Sequence, residues 1–429
     1  MKRIALAIVA VAAVTLSLAA CSSTGSPAAG GKPTVTLWVD TPRVPQATLY
    51  QKLMAGKQTI KIEVISQADA QTKIALHNRT KSGWPDVIFG GASDTAQFLD
   101  PSNGFAADLT KLVSKKIFDG FGEANNDCLF DGKYYCLKND LANTVLWYNT
   151  KVFKELNLTV PTTMDEFAAT AMKLKGTGYV AGAVGDTGYY AEYLQSSGCP
   201  LLGLPKKNVV RIAPSDPKCT RVADLVQPLL DAGVVDKRSS FDAGFIKDVA
   251  NKDKVAMTLG PSWFGDFVIK PAASWGVPAG EIAAANMPAW GSKPDNKSGA
   301  WGGGVFTVSA HAKFPQAAAD AAVWMTTSDA MATAETTPTF PAYGPANKLW
   351  EARISADKYY ASNPYPAMAA GANNISQVDR PVRFAFADQL GSVLQADINS
   401  GKSLKDALNA FADSLQKLAP SSGYTVVTK

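Results

Sequence analysis

"LFDGKYYCLKNDLANTVLWYNTKVFKELNLTVPTTMDEFAATAMKLK", residues 129–175, carries the densest run of local structural signals in the chain. Extended back by Cys128, its opening "CLFDGKYYC" reads as a β-hairpin around Asp131-Gly132. A three-residue loop of Asp131, Gly132 and Lys133 with a glycine bulge would set Cys128 directly opposite Cys136. A two-residue loop would put the two cysteines out of register. "NTVLWYN" (143–149) is β-branched and aromatic and reads as a strand. Two helices follow, the second opening with Thr163 and Glu166 at capping-box spacing and ending before Gly176. A strand passing straight into helices is the pattern of an α/β protein.

The flanking sequence extends that pattern. Upstream, "TVTLWVD" (34–40), "KIEVIS" (61–66) and "PDVIFGG" (85–91) are short β-rich runs, separated by segments long enough for helices. This βαβα order predicts a parallel sheet with ligand-facing loops at its strand ends. Downstream, "KVAMTLG" (254–260) and "GVFTVSA" (304–310) are further strands, the latter followed by an Ala-rich helix to about residue 326. The chain closes with "SLKDALNAFADSLQKLA" (403–419), where Ser403 suits an N-cap and Leu404, Leu408, Phe411, Leu415 and Leu418 form one apolar stripe.

Composition bounds the function. A chain of 429 residues exceeds one compact core, so at least two domains are expected, and 46% hydrophobic with 18% charged residues is globular. The net charge of +5 is small and no Lys/Arg cluster interleaves with aromatics, so nucleic acid is excluded as a partner. The two histidines, His77 and His311, read as surface residues, and no HExxH or Ser/His/Asp arrangement is visible. "SGKS" (400–403) fails as a P-loop because Ala396 holds the first glycine position, and "GPSWFG" is no GxSxG elbow. No cofactor or metal motif is present, and the reading is not enzymatic.

Lys2 and Arg3 precede an apolar run, residues 4–20, too short and Ala-rich for a bilayer span, which reads as a secretory signal. Leu18-Ala19-Ala20-Cys21 resembles the lipobox of bacterial lipoproteins. That resemblance implies a signal peptide over 1–20, a lipid on Cys21, a flexible tether over 21–31 and a place on the outer face of the cell membrane. The alternative is an ordinary signal with an incidental cysteine. The remaining cysteines, Cys128, Cys136, Cys199 and Cys219, permit three pairings and lack CxxC spacing or neighbouring His, which argues against zinc. The hairpin selects Cys128–Cys136 and leaves Cys199–Cys219; the alternative is four free thiols.

Residues 129–175 resemble the middle of the family 1 extracellular solute-binding proteins of ABC importers, the maltose-binding-protein-like group. "GWPDVIFG" (83–90), "KVAMTLGPSW" (254–263), "WGGGVFTVSAHAKFPQAAADAAVWMTT" (301–327) and "SGKSLKDALNAFADSLQKL" (400–418) match in the same order. The resemblance implies a monomeric, two-lobed periplasmic-binding-protein-like α/β fold of type II, with a cleft and a multi-strand hinge between the lobes. Lobe 1 is then expected over 32–142 plus 298–328, and lobe 2 over 143–297 plus 329–429. The crossings fall at "NTVLWYN", near "DNKSGAW" and near "TTSDA". An ABC permease in the membrane becomes the expected protein partner.

A small-molecule ligand is expected in the cleft, with a carbohydrate leading. Sugars present apolar C–H faces flanked by hydroxyls, so their sites combine aromatic platforms with carboxylates, amides and Arg. By the resemblance, Trp263 matches a stacking Trp of sugar-binding relatives, and Ser93 and Asp94 match polar sugar contacts. Gly90-Gly91 departs from relatives that carry an aromatic there. Asn143 lies at the first crossing, where a relative can carry a carboxylate, and Tyr343 lies on a Pro-rich loop that often faces the cleft. From the sequence itself, Trp301 beside Gly302 marks a point of close backbone approach. Asp40 and Arg43 follow the first strand, and Arg380 suits a carboxylate, phosphate or hydroxyl, or else an ion pair with Asp379. Tyr189 and Tyr190 are weaker candidates, and Trp38 reads as core. The alternatives are a binding protein for a sugar phosphate or glycerol phosphodiester, and an exported carbohydrate-active hydrolase.

Overall fold

The computed structural model describes residues 32–91, 98, 103–291, 297–333, 339–379 and 382–429. The signal and tether with Cys21, and the candidates Ser93, Asp94 and Arg380, lie outside the described residues. The strands in chain order are β1 (Thr34–Val39), β2 (Thr59–Val64), β3 (Val87–Gly90), β4 (Leu129–Phe130), β5 (Lys133–Tyr134), β6 (Cys136–Lys138) and β7 (Thr144–Asn149). They continue with β8 (Gly203–Lys206), β9 (Val209–Arg211), β10 (Met257–Pro261), β11 (Ile282–Ala285), β12 (Val305–Val308) and β13 (Thr425–Val427).

The first sheet has the order β2-β1-β3-β12-β6. β1 runs parallel to β2 and β3, with helices Val44–Leu53 and Gln67–Thr80 in the two connections, as the βαβα pattern requires. β12 then returns from far along the chain and inserts antiparallel between β3 and β6. One core of this body contains Val35, Leu37, Phe89, Leu137 and Phe306, covered by the helix Pro315–Thr327. That helix presents Ala318, Ala319, Ala321 and Ala322, all fully buried; side chains this small let its backbone lie close to the sheet.

The second sheet, β10-β7-β11, is wholly antiparallel with β7 at its centre. The pleat explains the unbroken apolar run of β7. Val145 and Trp147 enter one hydrophobic cluster while Leu146 enters another, so both faces of the strand are covered. The helix Met164–Met172 begins with the expected capping box, and Ser403 caps Leu404–Leu418, whose stripe packs into the core.

Both disulfides form, but the hairpin reaches its own by a different route. Leu129 pairs with Tyr134 and Phe130 with Lys133, so Asp131 and Gly132 alone make the loop, both at positive φ. This is a two-residue turn rather than a bulged three-residue one. Cys128 therefore faces Tyr135, whose N–H donates to its carbonyl at 2.9 Å. Cys136 is reached one residue further on, at a Cα separation of 5.1 Å that a disulfide spans.

Three backbone segments meet beside β7. Asn143 bridges Ala300, the Thr144 N–H donates to the Gly299 carbonyl at 2.9 Å, and Ser298 bridges Ile375. The Ser298 hydroxyl adds a bond to the Gly371 carbonyl at 3.0 Å.

Candidate functional site

A cavity of about 390 Å³ is lined from the first-sheet body by Gly91, Asp127 and Lys138, and from the second by Tyr190, Gln195 and Asp379. The segment 300–302, between the three-segment junction and β12, supplies Trp301 and Gly302 to its wall. This volume lies within the usual range for small-molecule sites.

The first-sheet wall is a braced ion pair. The Lys138 ammonium, on a side chain only 7% exposed, lies 2.7 Å from the Asp127 carboxylate. Buried Asn125 fixes the backbone beneath it, accepting from the Lys138 N–H at 2.8 Å and donating to the Cys136 carbonyl at 3.3 Å. The Cys128–Cys136 disulfide ties the strand bearing Lys138 to the turn bearing Asp127.

The opposite wall is built on a π-helical turn, Tyr190–Gln195, and such turns recur at functional sites. The Tyr190 hydroxyl donates to Asp379, which also accepts from the Leu202 N–H at 2.8 Å. Burial pushes the Asp379 carboxyl up to about 6, against the pull of those hydrogen bonds. The Gln195 side-chain oxygen accepts from the Ala300 N–H at 2.8 Å, tying the junction segment to this wall. Gly299 must be glycine, because a Cβ there would fall 1.8 Å from the Ala191 carbonyl oxygen.

Between these walls stands an aromatic group. The Trp301 indole N–H donates to the Thr187 hydroxyl at 3.0 Å, and the Trp301 carbonyl accepts from the Trp263 indole at 3.0 Å. The two indoles are 5.4 Å apart at 54°, and Phe241 meets Trp301 edge-on at 5.9 Å while remaining 49% exposed. Offset and edge-on pairs of this kind hold each ring's orientation.

The other candidates divide sharply. Trp301 and Gly302 reach the cavity, and Trp263 stands behind Trp301 as its brace. Asn143 is fully buried and donates to the Met368 carbonyl at 2.9 Å, a contact that secures the junction, and it is not among the residues lining the cavity. The Tyr343 ring packs 5.1 Å from Phe121 over side-chain-free Gly120, in the first-sheet core and away from the cavity. Asp40 and Arg43 pair with each other at 3.1 Å, the guanidinium also resting 4.1 Å over Phe89. Burial raises the Asp40 carboxyl in spite of that pairing. Trp38 is core, as expected.

Thr187, Gln195, Asp127, Lys138 and Asp379 lacked a sequence motif. The signal available for the ion pair was its place either side of the hairpin cysteines. Asp379 entered the sequence reading only as a partner for Arg380; among the described residues it accepts from the Tyr190 hydroxyl. Among the described residues, no group of three or more His, Cys, Asp or Glu is placed to hold a metal ion. An aromatic wall flanked by mutually bonded polar groups is equipped to bind a polar solute with apolar faces.

Residues 48–361 match the family model of the bacterial extracellular solute-binding proteins. The chain belongs to that family. The diacetylchitobiose-binding protein DasA of Streptomyces coelicolor is 29% identical over 180 residues, 39% of this chain and 41% of that relative, so the match spans less than half of the relative's length. The galacto-N-biose/lacto-N-biose I-binding protein of the ABC transporter from Bifidobacterium longum, solved with lacto-N-biose, gives a TM-score of 0.75 at 18% identity. It covers 93% of this solute-binding protein and 100% of that chain. The GacH receptor of Streptomyces glaucescens, solved unliganded and with acarbose, gives 0.69 at 21% identity, covering 92% and 100%. At such identities the likeness is one of fold, two α/β lobes of the type seen in those structures. No helix among the described residues is long and apolar enough to cross a membrane.

Proposed function

We propose that this solute-binding protein captures a neutral mono- or oligosaccharide in the cavity beside Trp301 and delivers it, unaltered, to an ABC permease. The observation that carries the reading is the Trp301 indole, held as an apolar wall between polar groups of both sheet bodies. A sugar's C–H face suits the ring and its hydroxyls suit Asp379, Gln195 and the Asp127–Lys138 pair. A neutral solute is favoured because Lys138, the cation among the described lining residues, is already neutralised by Asp127 at 2.7 Å. The homologies of DasA and the fold of the sugar-bound relatives support the same class.

The lobes in this reading are 32–142 plus 298–328 and 143–297 plus 329–429, closing on the solute about the junction at 143–144 and 298–300. The protein works as a monomer, exported and held at the outer face of the membrane by a lipid on Cys21, which keeps it close to its permease. Mass spectrometry of the N-terminal peptide tests the anchor.

The binding test is a thermal-shift panel on residues 22–429 with N,N′-diacetylchitobiose, lacto-N-biose, β-1,6-galactobiose, acarbose, sugar phosphates and amino acids. A solute at a hundred times its Kd adds about 2.7 kcal/mol of stability. A shift with a neutral sugar, lost in Trp301→Ala, supports the reading. Shifts confined to phosphorylated solutes would overturn it, and chemical turnover of a bound sugar would overturn the carrier role.

A further inference from the structure

Trp301 sits on the segment joining the junction to β12, yet its ring is held by a different part of the chain, the turn at residues 186–188. The indole N–H donates to Thr187 Oγ1 at 3.0 Å, and Thr187 itself lines the cavity. Gly188 lies beneath the ring. A Cβ there would fall 2.5 and 2.6 Å from Trp301 Cε3 and Cζ3. The backbone of Gly188 is not left-handed, so its glycine answers a demand for space and not for conformation.

The turn is itself clamped. Buried Asp186 accepts from the Gly188 N–H at 3.0 Å and from the Ser240 N–H at 3.0 Å, and the Ser240 carbonyl accepts from the Trp275 indole at 3.1 Å. Nothing in the local sequence around Trp301 would fix its side-chain torsions. This pre-formed turn adds to the ring contacts of Trp263 and Phe241 one acceptor for the N–H and one gap for the six-membered ring, which together fix the orientation.

We infer that the turn at 186–188 is the seat that orients Trp301 for ligand contact, with Thr187 and Gly188 as positioning residues for the binding site. Thr187 has a second part in it. Its oxygen accepts from the indole, which leaves its O–H proton available to an oxygen of the solute. The ligand-contact half of this inference rests on the sugar-binding reading above; the seat itself does not.

The experiment separates the two. In the full mature chain without ligand, hydrogen exchange of the Trp301 indole N–H is followed by NMR, its signal assigned through Trp301→Phe. Thr187→Val removes the acceptor at nearly constant volume and is expected to speed exchange roughly tenfold, whereas Thr187→Ser keeps the wild-type rate. Calorimetry with N,N′-diacetylchitobiose and lacto-N-biose then measures affinity. For a probe that binds wild type, Thr187→Val weakens binding roughly three- to tenfold, Thr187→Ser restores it, and Gly188→Ala weakens it with Thr187 intact. Unchanged indole exchange in Thr187→Val overturns the seat. Unchanged affinity in both Thr187→Val and Gly188→Ala, for a probe that binds wild type, overturns its role in binding. If wild type binds no sugar in the panel, the sugar reading falls while the exchange result still decides the seat.

Discussion

Asp186, buried beneath the cavity, makes the stability of this protein depend on pH in a calculable way. Burial pushes its carboxyl from the ordinary 3.8 up to about 6, outweighing the hydrogen bonds from Ser240 and Gly188. An acid whose folded value is raised takes up a proton more readily in the folded state. Its stabilising contribution is therefore complete below pH 3.8 and lost as pH rises through 6. The rise from 3.8 to about 6 corresponds to about 3 kcal/mol over the whole titration, from well below the first value to well above the second. Buried Glu192 is raised well above its ordinary value, by burial first and then by the Asp186 charge. Removing that charge lowers Glu192 and adds to the difference with the same sign.

The perturbation is Asp186→Asn, neutral at every pH. It leaves one backbone N–H without its acceptor, a pH-independent loss of about 1 kcal/mol. Urea unfolding of wild type and variant at pH 4, 5, 6 and 7 gives the difference in stability. Depressed acids such as Asp108 and Asp357 titrate in both proteins and cancel. The wild type should lose about 2.4 kcal/mol relative to the variant between pH 4 and 7, the rest of the full shift falling below pH 4. A difference flat across that range, or one rising with pH, refutes the reasoning.

The disulfides should rank by loop length. With separations of 20 and 8 residues, the chain-entropy model gives losses of about 3.3 kcal/mol for Cys199→Ala/Cys219→Ala and about 2.5 kcal/mol for Cys128→Ala/Cys136→Ala, read from urea midpoints; the reverse order would contradict it. Gly299→Ala drives a Cβ against the Ala191 carbonyl and should cost about 1–3 kcal/mol, visible as a lowered Tm; an unchanged Tm would show that the junction does not press on the π-helical turn. Thr163→Ala removes a capping-box hydroxyl that accepts from the Glu166 N–H at 3.1 Å and should cost about 1 kcal/mol in thermal unfolding, whereas an unaltered curve would deny the cap a role.

Strands and caps were legible because their signals are local. The capping box at Thr163, the N-cap at Ser403 and the β-branched and aromatic run of β7 each follow from residues a few positions apart. The hairpin shows the limit of that logic. Asp131-Gly132 tolerates positive φ at both positions, so the tighter turn prevailed, and the disulfide absorbed the one-residue offset that register alone seemed to forbid. The site was less legible because its groups meet from distant segments. Tyr190 and Asp379 stand 189 positions apart, and Thr187 and Trp301 stand 114 apart. Asn143 and Tyr343 were placed by resemblance, and their surroundings in the structure come from distant segments: the Met368 carbonyl for the one and the space over Gly120 for the other.

The polar groups of the cavity are already partnered: Asp127 with Lys138, Tyr190 with Asp379, Gln195 with the Ala300 N–H and Thr187 with the Trp301 indole. Their side chains are ordered before any solute arrives, so little of the roughly 0.5–1.5 kcal/mol usually lost in immobilising each one is charged to binding. When a solute leaves, these partnerships remain in the wall. Capture and release then differ mainly in residence time, and related solutes should be told apart by how fast they depart. A carrier that must let go of its cargo on every cycle is served by such a wall.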